Sequence, residues 1–175
     1  DEIIPFAPEW VLIYVLTFIL WGAGLISAAW QKEELCYRLF AAAGISYLIC
    51  AVCFIALPTV IVRPEITGNS YCETLVAATY GFDVPTNLFP SMHCMMSYVI
   101  FRGITLSPMY SKGYSWAIGI LTLLICASTV FIRQHFFVDA VAGIFFGEAA
   151  LQTALRTNLW TVFKKLNKKL LKIGD

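Results

Sequence analysis

Three stretches without a charged side chain, Val11 to Trp30, Leu39 to Val62 and Gly113 to Ile132, dominate the chain. Each is long enough to cross a bilayer, because roughly 20 apolar residues in a helix match about 30 Å of hydrocarbon. No backbone N–H or C=O can stay unpaired in that medium, so such stretches fold as helices. Two weaker runs complete the set: Leu88 to Leu106 carries His93 and Arg102, and Val138 to Leu155 carries Asp139 and Glu148. The expectation is an all-α, polytopic transmembrane bundle of five spans, one domain over residues 1–175. A content of 59% hydrophobic and 13% charged residues excludes a soluble domain of this length. Val11 to Trp30 is too long for a secretory signal and has no basic segment before it. A start at Asp1 fits a processed or truncated product.

Orientation follows from the basic residues between the runs. Lys32 and Arg38 lie in the first connection, Lys112 in the third, and Lys164, Lys165, Lys168, Lys169 and Lys172 in the tail. By the bias of Lys and Arg toward the cytoplasm these regions share the inner side. Asp1, Glu2 and the long connection with Glu65, Glu73 and Asp83 then fall outside. This describes a multi-pass plasma-membrane protein with a cytoplasmic C-terminus. Residues 159–173 read as an amphipathic basic tail lying along the inner leaflet, where each lysine gains about 1 kcal/mol near anionic lipid. A net charge of +1 gives no ground for a nucleic-acid partner. Of six cysteines five lie in or beside the apolar runs and only Cys72 is clearly in the outer connection, so no disulfide framework is expected, and the Cys50–Cys53 spacing inside a run reads as packing.

The chain has two histidines, and both fall in polar clusters on the outer side: Pro90-Ser91-Met92-His93, and Arg133-Gln134-His135 with Asp139 four residues on. Pro90 and Ser91 are helix-start residues, so free N–H groups and the Ser91 hydroxyl can hold an anion there, whether or not Ser91 also caps the helix. His135 and Asp139, at i and i+4, share a helix face. A carboxylate bonded to one imidazole nitrogen leaves the other as a nucleophile, with Arg133 beside it to neutralise a phosphoryl oxygen; a purely structural His–Asp bond is the alternative. Arg63, released at the interface before Pro64, is either a phosphate clamp or a snorkelling arginine. Asn87 lies in the segment leading to this helix start and is counted as a supporting residue.

With Arg63-Pro64, Pro90-Ser91-Met92-His93, and His135 with Asp139 in that order, the chain resembles the type 2 phosphatidic acid phosphatase superfamily. The resemblance runs from the opening Asp1-Glu2-Ile3-Ile4-Pro5-Phe6 to the final span and implies a six-helix enzyme, one helix of which would precede Asp1. It implies metal-independent, cofactor-free catalysis in which His135 forms a phosphohistidine, Asp139 orients its ring, and His93 serves as acid and then base. Arg63, Arg133 and Ser91 would bind the phosphate. Two positions depart from the family pattern: Ala56 stands seven residues before Arg63, where a lysine is usual, and Thr129 six residues before His135, where an arginine is usual. In this the chain looks closer to the branch with inositol phosphorylceramide and sphingomyelin synthases. The leading expectation is an integral-membrane phosphatase acting on a mono- or diphosphate ester lipid, of phosphatidic acid or polyprenyl type, at the outer face. Lipid head-group phosphotransfer is the alternative, and a non-catalytic transporter or interaction protein a third. Lipid identity and oligomeric state stay open.

Arg102 and Glu148 sit nine residues beyond His93 and Asp139 respectively. In two helices running inward from one face, both lie about 13.5 Å below the histidines. A charge in a bilayer helix needs a partner, so a bridge between them is expected, the alternative being an Arg102 that snorkels to the inner interface.

Overall fold

A computed structural model describes residues 3–171. The N-terminal Asp1 and Glu2, and Lys172 and Ile173 of the basic tail, lie outside the described residues. Among the described residues seven helices follow one another: α1 (Pro8–Ala29), α2 (Glu33–Ala56), α3 (Tyr71–Phe82), α4 (Met92–Leu106), α5 (Lys112–Phe131), α6 (Phe137–Arg156) and α7 (Trp160–Leu171). α1 opens with a 3-10 turn at Pro8–Trp10 and continues as α-helix. Short connections reverse the chain between α1 and α2, α4 and α5, and α5 and α6, and the long connection that holds α3 joins α2 to α4. The bundle therefore has a histidine end and a lysine end.

Four helices, α1, α2, α5 and α6, are long and apolar enough to cross a membrane. The fifth expected span, Leu88 to Leu106, is helical only from Met92 and has 15 residues. Pro90 lacks an N–H and Ser91 caps the helix, its hydroxyl accepting from the Cys94 N–H at 3.3 Å, so helix cannot extend back to Leu88. The run from Leu39 to Val62 likewise ends as helix at Ala56, because Pro58 disfavours α conformation in the residue before it. The connection between α2 and α4 holds a helix that the apolar runs do not announce. α3 starts at a capping box in which Ser70 Oγ accepts from the Glu73 N–H at 3.2 Å and Glu73 Oε2 from the Ser70 N–H at 3.1 Å. Its buried Val76 packs with Val11 and Tyr14 of α1 and Ile132 of the α5–α6 turn.

α4 is the central helix and packs against α1, α2, α5 and α6. Its contact with α6 is backbone to backbone. Gly143 and Gly147 are one turn apart on α6; a Cβ on Gly143 would lie 2.6 Å from the Ser91 carbonyl oxygen, and one on Gly147 3.1 Å from that of Met95. Near the histidine end the Ser91 N–H donates to the Asp139 carbonyl at 3.0 Å. Further along, Arg102 Nη1 meets Glu148 Oε2 at 2.5 Å. Tyr98 donates to the same oxygen at 3.0 Å, and Gln152 to Glu148 Oε1 at 2.8 Å. Small residues allow the close approach, and the ion pair fixes how far one helix slides along the other.

At the lysine end, Arg38 of α2 donates to the carbonyls of Ala154, Leu155 and Thr157 at 2.7, 2.5 and 3.2 Å, closing the C-terminus of α6. α7 lies against α2 through Phe163, which packs on the cluster around Ala41 and Ala42, and through a Lys164–Glu33 ion pair at 2.7 Å.

Gly143→Ala is expected to destabilise the fold by about 1–3 kcal/mol, because backbone cannot yield to the added methyl. Gly22→Ala, where nothing lies within 4 Å of the new Cβ, should not lower the melting temperature in detergent, since Ala is the better helix former. A double-mutant cycle on Arg102→Ala and Glu148→Ala should show a coupling of about 0.5–3 kcal/mol. Additive losses would mean that the pair does not set the helix register.

Candidate active site

The turn between α5 and α6 presents His135. The N–H groups of Gln134 and His135 both donate to the Thr129 carbonyl, at 2.9 and 3.0 Å, and Arg133 adopts a left-handed φ of 53° to make the reversal. Tyr80 of α3 reaches across and donates its hydroxyl to the Ile132 carbonyl at 2.7 Å. Burial pushes the Tyr80 phenol up to about 12, which keeps that hydroxyl a donor. His93 stands in the first turn of α4. The two rings meet with His93 Nδ1 3.2 Å from His135 Nε2.

Hydrogen-bond accounting assigns the protons. His135 Nδ1 lies 3.1 Å from the Leu88 carbonyl oxygen, which can only accept, so Nδ1 carries the hydrogen. The lone pair of neutral His135 is then on Nε2, aimed at His93 Nδ1. The opposite nitrogen of His93, Nε2, lies 2.9 Å from the Tyr14 hydroxyl, which is 3.3 Å from Asp83 Oδ2. A line of polar groups thus runs from Asp83 through Tyr14 and His93 to His135. Around it His93 is walled by aromatic rings: Trp21 stacks on it at 5.6 Å between centroids and Phe18 meets it edge-on at 6.4 Å.

Asp139 differs from the expected ring-bonding carboxylate. Its Oδ2 accepts from the Phe136 N–H at 2.8 Å, capping α6, and stands 3.8 Å from His135 Nδ1, beyond hydrogen-bond length. The Leu88 carbonyl takes the ring hydrogen, and Asp139 supplies a buried negative charge beside it. Leu88 is held in place by Thr59, whose Oγ1 accepts from the N–H groups of Leu88 and Phe89 at 2.8 and 3.3 Å. Asn87 contributes through its backbone: at a φ of 59° it donates its N–H to the Thr59 carbonyl at 2.9 Å.

Arg63 joins α3 to the His135 turn. Its guanidinium donates to the Asp83 and Tyr80 carbonyls at 2.6 and 3.3 Å and to the Gln134 side-chain oxygen, and lies 4.3 Å over the Tyr80 ring. Burial draws the Arg63 pKa below its ordinary value, and Asp83 draws it back. Arg63 Nε and Gln134 Nε2 are buried donors with no acceptor among the described residues. Such orphans are costly unless an acceptor arrives. Arg133, expected beside the phosphate, donates at 2.6 Å to the Ile4 carbonyl. Ser91 is fully buried as the cap of α4. Arg102 and Glu148 stand away from the histidines, in the bridge described above.

Tyr14, Trp21, Asp83, Leu88 and Gln134 are site residues that the sequence reading did not assign. Tyr14 and Trp21 carry no local signal, being one hydroxyl and one indole in an apolar run. Gln134, between an arginine and a histidine, was the most detectable, because a polar turn residue beside a candidate nucleophile is poised to reach it.

The family profile described as the PAP2 superfamily matches residues 35–162, which include Arg63, His93, His135 and Asp139. No curated protein and no solved structure matches the chain. Members of this superfamily are phosphatases and phosphotransferases acting on phosphate esters, often of lipids. With the match extending over well more than half of its length, the chain belongs to the PAP2 superfamily.

Proposed function

We propose that the chain is an integral-membrane lipid phosphatase working through a phosphohistidine on His135. The observation that carries this reading is the His93–His135 pair, with a lone pair on His135 Nε2 and unfilled buried donors on neighbouring Arg63 and Gln134. A phosphate ester entering between the rings displaces their mutual hydrogen bond. His135 Nε2 attacks phosphorus, the ester P–O bond breaks, and Nδ1 of protonated His93 gives its proton to the departing alcohol oxygen. The charge that develops on His135 faces Asp139. His93 Nδ1 then takes a proton from water, which attacks the phosphohistidine and releases phosphate.

For His93 to give up the Nδ1 proton without becoming an anion, it must carry a second hydrogen on Nε2. Tyr14 is placed to accept that hydrogen while passing its own to Asp83. Arg63 and Gln134 stabilise the transferring group, and no step calls for a metal ion. The bias of basic residues puts the lysine end in the cytoplasm and the histidines on the extracytoplasmic side. Transfer of the phosphoryl group to a lipid alcohol is the second reading. It is favoured by Thr129, which is fully buried with its hydroxyl on the Cys126 carbonyl, so that a neutral side chain stands where the family pattern has a cation.

Purified protein in detergent should release inorganic phosphate from lipid phosphates with chelator present, and His135→Ala should abolish both turnover and phosphoenzyme. Full activity of His135→Ala would sink the mechanism. A new phospholipid formed in place of phosphate, when a lipid alcohol is added, would select the second reading. Tyr14→Phe should lower kcat about 10- to 100-fold with KM little changed, the effect of losing one charge-assisted hydrogen bond. The loss should be larger for alkyl esters, which need a protonated leaving group, than for p-nitrophenyl phosphate. An equal loss on both would assign Tyr14 a structural role alone.

A further inference from the structure

A cavity of about 300 Å³ lies between α1, α2 and α4, beginning at Trp21 and ending near Ser27 and Ile104. Its wall is apolar apart from Ser27 and the polar tips of Trp21 and Tyr47. Trp21 is both the upper wall of this cavity and the ring stacked on His93, with its indole N–H held by Ser97 at 3.2 Å. That indole is thus shared between the cavity and the proposed acid. At the lower end the Tyr110 hydroxyl donates to Ser27 Oγ at 2.8 Å, and the buried Gln31 side chain donates to the Ser27 carbonyl at 3.0 Å.

The dimensions fit one hydrocarbon chain. From Met96 to Ile104 along α4, and from Tyr47 to Leu39 along α2, the cavity is about 12 Å long at 1.5 Å per residue. An extended chain advances about 1.2 Å per bond, which places about ten bonds in that length. A methylene occupies about the volume of a water molecule, roughly 30 Å³, so the volume also holds on the order of ten. Length and volume thus agree on a single chain of about ten carbons.

Resting on the phosphatase reading, we infer that this cavity seats the hydrocarbon chain of the substrate, and that the Ser27–Tyr110 contact limits it to about the first ten carbons. The substrate class this selects is a lipid phosphate whose chain starts within a few bonds of the phosphorus, so that the ester lies between the histidines while the chain passes Trp21. Carbons beyond the floor have to leave sideways into the bilayer, where they add nothing to recognition.

The test is phosphate release by the full chain in one fixed detergent, using straight alkyl phosphates of four to sixteen carbons. kcat/KM should rise two- to four-fold per added methylene and level off near ten. Ala43→Phe, which puts a ring into the cavity, should lower the ratio of twelve-carbon to four-carbon kcat/KM at least ten-fold, and Tyr110→Ala should move the plateau to longer chains. Comparing ratios within one detergent cancels micelle partitioning, and either variant suffices if the other does not fold. A kcat/KM that is independent of chain length, or a ratio unmoved by both variants, overturns the proposal while leaving the phosphatase reading intact. Absence of phosphate release from every ester, with phospholipid formation also absent when an alcohol is supplied, overturns the phosphatase reading and the inference with it.

Discussion

The backbone contact between α4 and α6 is the constraint on which the rest depends. Gly143 and Gly147 let the helices approach until the Ser91 N–H reaches the Asp139 carbonyl, and the Arg102–Glu148 pair stops them from sliding. His93 rides on one helix and His135 sits at the start of the other, so a shift of one residue would move the rings apart by about 1.5 Å along the axis. Imidazoles 3.2 Å apart tolerate little of that. Packing in the lower half of the bundle is therefore part of the chemistry of the upper half.

Much of the frame was legible in the sequence because hydrocarbon allows few solutions: an uncharged run of 20 residues becomes a helix, and a charge within it needs a partner. Arg102 and Glu148 could be paired on spacing alone. The histidines and Arg63 stood out as polar groups at the ends of such runs. What escaped depends on choices that a residue type does not encode. Arg133 looked like a phosphate ligand, but a left-handed backbone at that residue accompanies a side chain turned to the Ile4 carbonyl. Asp139 looked like the partner of the His135 ring, but an acceptor at the third position of a helix also caps it, and a main-chain carbonyl took the ring hydrogen. Tyr14 is invisible in an apolar run until tertiary structure brings it to His93. The Ser70-x-x-Glu73 pattern of α3 was readable, yet hydropathy alone passes over it.

The polar line from Asp83 to His135 draws its members from α1, the α3–α4 connection, α4 and the α5–α6 turn. No two neighbours along it are close in sequence. His93 is thus bonded on each side to a residue from a different element, and the arrangement proposed to make it an acid is assembled only in the folded bundle. Arg63 and Tyr80 perform a similar joining role, tying the connection that contains α3 to the turn that carries His135.

The shortness of α4 has a consequence for the membrane itself. Its 15 residues cover about 22 Å, some 8 Å less than a typical hydrocarbon layer. The missing length lies at the histidine end, where the capped start of the helix and the irregular segment before it replace further helical turns. Non-helical backbone at that depth is tolerated where it lines a wet cavity, and a short span is accommodated by local thinning of the bilayer. With α4 as a span, a bilayer would thin above the two histidines, so that a headgroup would descend only slightly to reach them and water would follow by the same path.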